Sequence, residues 1–341
     1  MDLDAGWVRE ELTATRLHSS TYGIYHWRSF DRVVDAERRD GLHVLGLLDY
    51  SNTWGYPDHG YMPHAGIGRL AADFASYVYA VARHYRGRIR AWQIWNEPDR
   101  AVFWKPAPNP SDYARLLDAA YRAVKRADPR DKVVMAGTTD VDLPFVRAVV
   151  RAGGRFDVVA VHPYRNLPET SLLATVSALR SLHRPIWFSE IGWAAGAGCW
   201  ECTDELDQAA YLVRFYALAA AADVQRVFWY DLRDDPNSIV SPEAHFGLVR
   251  RDLSAKPSYV AYAALARVLR GARFVRADVL GARGLYALRF ATARGAVEVA
   301  WSTGGAAAGV KFAWRGPAFE VDDLGAVTAV RSASGRMVVV S

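Results

Sequence analysis

Seven short runs of large apolar residues recur along the chain, and the helical patterns between them leave few folds open. The runs are GWVREEL (6–12), HVLGLLD (43–49), AWQIWNE (91–97), KVVMAG (132–137), FDVVAVH (156–162), PIWFSE (185–190) and RVFWYD (226–231). Their apolar residues are continuous rather than alternating, the pattern of parallel strands covered on both faces. Between the runs, Phe74, Tyr77, Val78, Val81 and Tyr85 fall at helical spacing, as do Tyr113, Leu116, Leu117, Ala120 and Val124. Ser111 is the expected N-cap of the second of these helices, and Asp128-Pro129 its stop. Further helices are expected over 204–222 and 258–270, the last ending at Gly271.

Repeated strand–helix units build a parallel sheet, either open and doubly wound or closed into a barrel. A nucleotide-binding open sheet carries a Gly-rich turn after its first strand, and no run here is followed by one. Polar groups stand instead at the C-terminal ends of many runs: Asp49, Glu97, His162, Glu190 and Asp231. That is the active-site rim of a (β/α)8 TIM barrel, expected over 1–271. From 272 to 341 the texture changes. LYALRFA, AVEVAWS, VKFAWR, FEVDDL and RMVVVS are short alternating runs between Gly-rich turns. They predict a small antiparallel, β-sandwich-like domain that follows the last helix with no low-complexity linker.

Charge narrows the partners. Forty-two Lys and Arg against 37 Asp and Glu leave +5, but the basic residues are scattered rather than clustered with aromatics as in a nucleic-acid reader. No apolar stretch reaches membrane-spanning length, and the opening MDLDAGWVRE lacks the basic and apolar regions of a signal peptide. The outlier is tryptophan, with 12 residues. About half of these suit core packing. Trp54, Trp104, Trp193, Trp200 and Trp229 fall in or beside expected loops, where a flat aromatic face suits a sugar ring.

Glu97 and Glu190 each close an aromatic strand just before Pro98 or Gly192. A single strand-end glutamate reads as a solvated loop residue or an arginine partner. Two of them, on strands that a barrel directs to one opening, suit glycosidic bond cleavage: one protonates the leaving oxygen, the other attacks the anomeric carbon or activates water.

AWQIWNEPD (91–99) together with WFSEIGW (187–193) resembles the paired signatures of the clan A glycoside hydrolases. The chain is most similar to family 39 and its bacterial exopolysaccharide-hydrolase relatives, through VRE near the start, HPY at 162–164, FWYD at 228–231, KPSYVAY at 256–262 and the small β domain. The resemblance implies a retaining β-glycosidase that needs no cofactor and no metal, acts on an oligo- or polysaccharide, and is secreted or held at the cell envelope. Glu97, on the family's fourth strand, takes the acid/base role. Glu190, on the seventh, is the nucleophile. Asn96 is implied to bind the sugar 2-hydroxyl, which requires a bend beside Pro98 because strict alternation points neighbours apart. Arg9 is implied to keep Glu190 ionised, Tyr164 to donate to it, and Trp229 to floor the innermost subsite. His162 either touches the sugar or is structural. Trp54, Trp104 and Trp193 are expected to line the sugar site as well.

Two departures stand out. GWVREEL aligns with the family's second strand, so no run remains for the first. Gln93 stands where many relatives carry Glu, with no expected effect on the chemistry. Cys199 and Cys202 read as a loop disulfide beside Trp200 or as two idle thiols, since no second pair exists for a four-thiolate zinc site. Two other functions use the same residues: a catalytically weak or inactive carbohydrate-binding relative, and a transglycosylase. Family members act on xylosides, iduronides and exopolysaccharides, so neither the sugar nor the oligomeric state follows from the resemblance.

Overall fold

A computed structural model describes residues 5–17, 24–50, 67–235, 240–278 and 284–303, and the backbone of four short strands beyond them. Trp54 lies outside the described residues. The first part alternates strand and helix: β1 (Trp7–Glu11), α1 (Ala14–Leu17), α2 (Arg28–Arg39), β2 (His43–Leu48), α3 (Ile67–His84), β3 (Ala91–Ile94), α4 (Pro110–Ala127), β4 (Lys132–Met135), β5 (Thr138–Thr139), α5 (Leu143–Arg151), β6 (Val159–His162), α6 (Leu172–Arg180), β7 (Ile186–Ile191), α7 (Glu205–Ala221), β8 (Arg226–Trp229) and α8 (Pro257–Val268). All neighbouring pairs are parallel, in the orders β1-β2-β3-β4 and β5-β6-β7-β8. This is the TIM-barrel architecture that the alternation predicts.

β4 and β5 are one barrel strand broken at Ala136-Gly137, so the described residues supply seven strand positions. The break has a cause. The Tyr113 hydroxyl, reaching in from α4, accepts from Ala136 N at 2.6 Å and donates to Ile94 O at 2.8 Å, replacing a rung of the ladder. Just beyond, a Cβ on Gly137 would stand 2.0 Å from His162 Nε2, so only glycine lets the imidazole lie against this backbone. Among the described residues, β1 and β8 end their sheets without pairing to each other. Side chains meet across that seam: Trp7 lies edge-on to Trp187 at 5.3 Å and to Phe228 at 6.5 Å, with the Arg226 guanidinium 5.1 Å over its ring.

The helices form where their apolar stripes demand. Leu70, Phe74, Tyr77, Val78 and Val81 of α3, and Tyr113, Leu116, Leu117, Ala120 and Val124 of α4, are all buried. The expected cap at Ser111 is corrected. Asn109 caps α4, its Oδ1 accepting from Ser111 N and Asp112 N at 3.1 Å each, because Pro110 occupies the first helical position, where its missing N–H costs nothing.

Beyond α8, β9 (Arg273–Ala277), β10 (Leu285–Thr292) and β11 (Gly295–Ser302) form an antiparallel sheet. It docks on the barrel through Leu288, Phe290 and Trp301. Trp301 Nε1 donates to Glu169 Oε1 at 2.7 Å, and Arg214 of α7 grips the same carboxylate with two 2.7 Å bonds. Two further antiparallel pairs follow: Val310–Ala313 with Arg336–Val339, and Ala318–Val321 with Val327–Val330. No described helix is long and apolar enough to cross a membrane.

Candidate active site

β3 stops at Ile94, and the next three residues leave the strand through two left-handed positions, Trp95 at φ 69° and Glu97 at φ 42°. Non-glycine residues pay for such φ values, and the surroundings hold them here. Trp95 is fully buried and donates from Nε1 to Phe103 O at 3.0 Å. Glu97 N bonds Gly137 O at 3.1 Å, and Thr139 N bonds Asp99 Oδ2 at 2.9 Å. The resulting turn aims Asn96 and Glu97 at the same opening, which an unbroken strand would not do. The bend begins at Trp95, before the proline invoked for it.

Glu190 arrives from β7 with three partners. Arg9 of β1 donates from Nη1 to Glu190 Oε2 at 2.9 Å, and Tyr164 donates to Oε1 at 2.9 Å. The third, His162 Nδ1, stands 4.0 Å from Oε2. Burial pushes this carboxyl up, but the electropositive Nδ1 edge of His162, the Arg9 charge and the Tyr164 hydrogen bond outweigh it, leaving Glu190 below the usual glutamate range. Burial and the adjoining carboxylate hold the Tyr164 phenol well above its ordinary value, so it remains a donor.

Glu97 meets His162, whose Nδ1 lies 2.8 Å from Glu97 Oε1. Oxygens of Glu97 and Glu190 and the His162 nitrogen all fall within 4.8 Å of one another. This trio also has the make-up of a cation site, but the His162–Glu97 and Arg9–Glu190 bonds already engage its atoms. At the rim, burial pushes Asp99 up to about 6 and Asp231 up to about 7. Asp49, closing β2, is wholly buried and held well above its usual value by burial and then by the Glu11 charge.

Arg9 ties the site together. Besides Glu190 it donates from Nε to Gln93 Oε1 at 2.7 Å and from Nη2 to Asn96 Oδ1 at 2.8 Å. Because guanidinium only donates, Asn96 must turn its oxygen toward Arg9 and its NH2 away, toward the opening.

The other expected site residues divide. Trp229 is half-buried and donates from Nε1 to Phe246 O at 3.1 Å, its ring 6.0 Å from that of Trp193. Trp193 is 8% exposed among Tyr211 and Phe215, with its indole N–H on Asn166 O. Trp104 is 1% exposed, enclosed by Trp95 and Tyr113, so its expected role as a sugar platform is corrected to core packing. His162 is also fully buried with both ring nitrogens engaged. The expected sugar contact is corrected to a contact with Glu97. Cys199 and Cys202 form a disulfide, with Trp200 exposed between them.

Sequence reasoning missed Ser189 and set Gln93 aside. Both are fully buried, and Gln93 Nε2 donates to Ser189 Oγ at 2.8 Å. A polar residue inside an otherwise apolar buried strand was the available signal.

Comparison with known proteins accords with this arrangement. Residues 16–228, more than half of the chain, match the model described as Glycosyl hydrolase family 53. A beta-xylosidase of Geobacillus stearothermophilus is 31% identical over 167 residues, covering 41% of this chain and 31% of that protein. The match therefore spans about a third of that relative's length. A family 39 glycoside hydrolase from the gut symbiont Bacteroides cellulosilyticus WH2 superposes with a TM-score of 0.78 at 24% identity, covering 95% of this chain and 73% of that one. A monomeric beta-xylosidase from Caulobacter crescentus CB15 gives 0.63 at 19% identity, over 93% and 69% of the two chains. The structural likenesses establish a shared fold.

Proposed function

The chain belongs to glycosyl hydrolase family 53, and from that premise we propose that it is a retaining glycoside hydrolase. In this reading it cleaves β-glycosidic bonds of an oligo- or polysaccharide by double displacement. Glu97 is the acid/base and Glu190 the nucleophile. The observation that carries the proposal is the approach of the two carboxylates to within 4.8 Å. Retaining enzymes hold their carboxyls about 5–5.5 Å apart, whereas inverting ones leave about 6.5–9.5 Å for a water.

The surroundings support the division of labour. Glu190, below its ordinary range beside Arg9 and Tyr164, stays ionised and able to attack the anomeric carbon. Glu97 delivers a proton to the departing glycosidic oxygen, then takes one from the water that releases the sugar. Asn96 presents its NH2 to the sugar 2-hydroxyl, while Trp229 and the barrel rim enclose the ring. No step calls on a group beyond these side chains. The boundary near Gly271 belongs to the same proposal, with 272–341 a separate β domain. The names of its relatives make aryl β-xylosides a first choice within a wider panel of aryl glycosides and polysaccharides.

Glu190→Ala should lose turnover and regain part of it with azide, yielding a glycosyl azide of inverted configuration. A variant with near-native activity would exclude the covalent mechanism. Binding of panel sugars by the wild type without turnover would instead make the chain a carbohydrate-binding relative.

A further inference from the structure

Four side chains, through five hydrogen bonds, link the two carboxylates in one unbroken path. From Glu190 it runs through Arg9 at 2.9 Å, Gln93 at 2.7 Å, Ser189 at 2.8 Å and His162 at 3.0 Å, and reaches Glu97 at 2.8 Å. Gln93, Ser189 and His162 are each 0% exposed, so their hydrogens must be placed among these partners. The order can be worked out from the donor-only end.

Arg9 Nε carries a hydrogen and no lone pair, so the Gln93 atom facing it is the oxygen. The Gln93 amide then turns its two hydrogens to Met135 O at 3.3 Å and Ser189 Oγ at 2.8 Å. The carbonyl at Met135 can only accept, which agrees with the same orientation. Ser189 Oγ, having accepted from Gln93, has one hydrogen of its own, and His162 Nε2 at 3.0 Å is the partner it reaches. His162 Nε2 therefore accepts. The neutral ring bears its hydrogen on Nδ1 and donates it to Glu97 Oε1.

We propose that Gln93 is a positioning residue that sets the direction of this path, fixing His162 as the Nδ1–H tautomer and so confining the transferable proton of Glu97 to Oε2. The inference rests on the reading of Glu97 as the acid. Gln93 does a second thing by being neutral. It holds Arg9 in place without competing for its charge, which a carboxylate at this position would do. Glu in its place would keep the shape, but it could only accept. Ser189 would turn its hydroxyl toward the new carboxylate and accept from His162 Nε2–H. His162 would then present a lone pair to Glu97, or become charged.

The ionisable groups facing His162 and Glu97 are Glu190 from β7, Arg9 from β1 by way of Asn96, Asp99 after β3, and Tyr164 after β6. Of these, Gln93→Glu changes only the sharing of Arg9 directly, so the two effects separate by readout. The tautomer is read by nitrogen-15 NMR on histidine-labelled protein, with the His162 resonance assigned by its loss in His162→Gln. The wild type should show Nδ1 protonated and Nε2 bare. Gln93→Glu should show a protonated Nε2. Gln93→Met, which keeps the length but offers Ser189 nothing, should leave both tautomers populated.

In kinetics, both Gln93 variants should lose roughly 10- to 100-fold in kcat on substrates whose leaving group needs a proton, part of what general acid catalysis contributes. With a dinitrophenyl glycoside, whose leaving group needs none, Gln93→Met should stay within a few-fold of wild type. A wild-type His162 protonated at Nε2, or equal losses on both substrate kinds in Gln93→Met, would overturn the proposal. The NMR result is independent of turnover, so it can fail while the glycosidase reading stands. The reverse also holds.

Discussion

Replacing Arg9 by Met tests what holds the nucleophile ionised. Arg9 is 2.9 Å from Glu190, with the two side chains 15% and 16% exposed. Its other hydrogen-bond partners, Gln93 and Asn96, are neutral, so among the described residues Glu190 is the one carboxylate it bonds. At an effective dielectric of about 20, unit charges this close interact by roughly 6 kcal/mol. Water reaching the partly exposed pair reduces that. Carboxylates beside an arginine are typically depressed by about 1–3 pH units, which corresponds to about 1.4–4 kcal/mol.

The sign follows from what remains. Burial, the largest influence on Glu190, raises it. Without Arg9, His162 and Tyr164 are left to oppose burial, so Glu190 keeps its proton to higher pH. The acidic limb of kcat/KM should move upward by about 1–3 units in Arg9→Met. In Arg9→Lys, which keeps the charge but cannot make all three bonds, it should move less. The assay is a pH profile on an aryl glycoside, with circular dichroism confirming the fold at each pH. A limb that stays in place or moves down in folded Arg9→Met would refute the electrostatic role.

Two further outcomes follow from local geometry. Gly137→Ala should lose at least about 100-fold in kcat/KM and lower the Tm. Its Cβ would fall 2.0 Å from His162 Nε2 and 2.8 Å from Ser189 Oγ, and overpacking of this kind typically costs about 1–3 kcal/mol; wild-type kinetics and melting would contradict the contact. Asp231, raised to about 7 mainly by burial, binds its proton more tightly folded than unfolded, so it costs stability as pH rises from about 4 to 7. Asp231→Asn should accordingly gain ~1–3 kcal/mol over wild type at pH 8 relative to pH 4.5, and an equal difference at both pH values in denaturant melts would sink the argument.

The barrel was legible in the sequence because parallel strands are buried on both faces. That leaves continuous apolar runs such as HVLGLLD and PIWFSE, which no amphipathic helix imitates over so short a length. The two glutamates were legible for a related reason. A charge ending such a run must lie at the rim, since inside the strand it would be buried without water. The limits are equally physical. Whether an aromatic beside a loop faces solvent or core depends on what packs over it, so Trp104 and an exposed platform look alike until Trp95 and Tyr113 close around it. Gln93 and Ser189 were invisible as a pair because 96 residues separate them. The meaning of each lies in a partner on another strand.

The nucleophile's charge and the closure of the barrel depend on the same side chain. β1 lacks a ladder partner toward β8 among the described residues, and a strand edge held by one neighbour is the part of a sheet that opens most readily. Two sets of contacts compensate. On one side Trp7, Trp187, Phe228 and Arg226 pack across the seam. On the other, Arg9 reaches through the barrel to Gln93 on β3, to Asn96 just after it and to Glu190 on β7. The arginine that sets the charge of the nucleophile therefore also pins the strand that carries it. A charge can do both only because the groups receiving it come from two other strands, the amides from β3 and its end and the carboxylate from β7. Loosening β1 would release Glu190 from its counter-ion before it disturbed either glutamate's backbone.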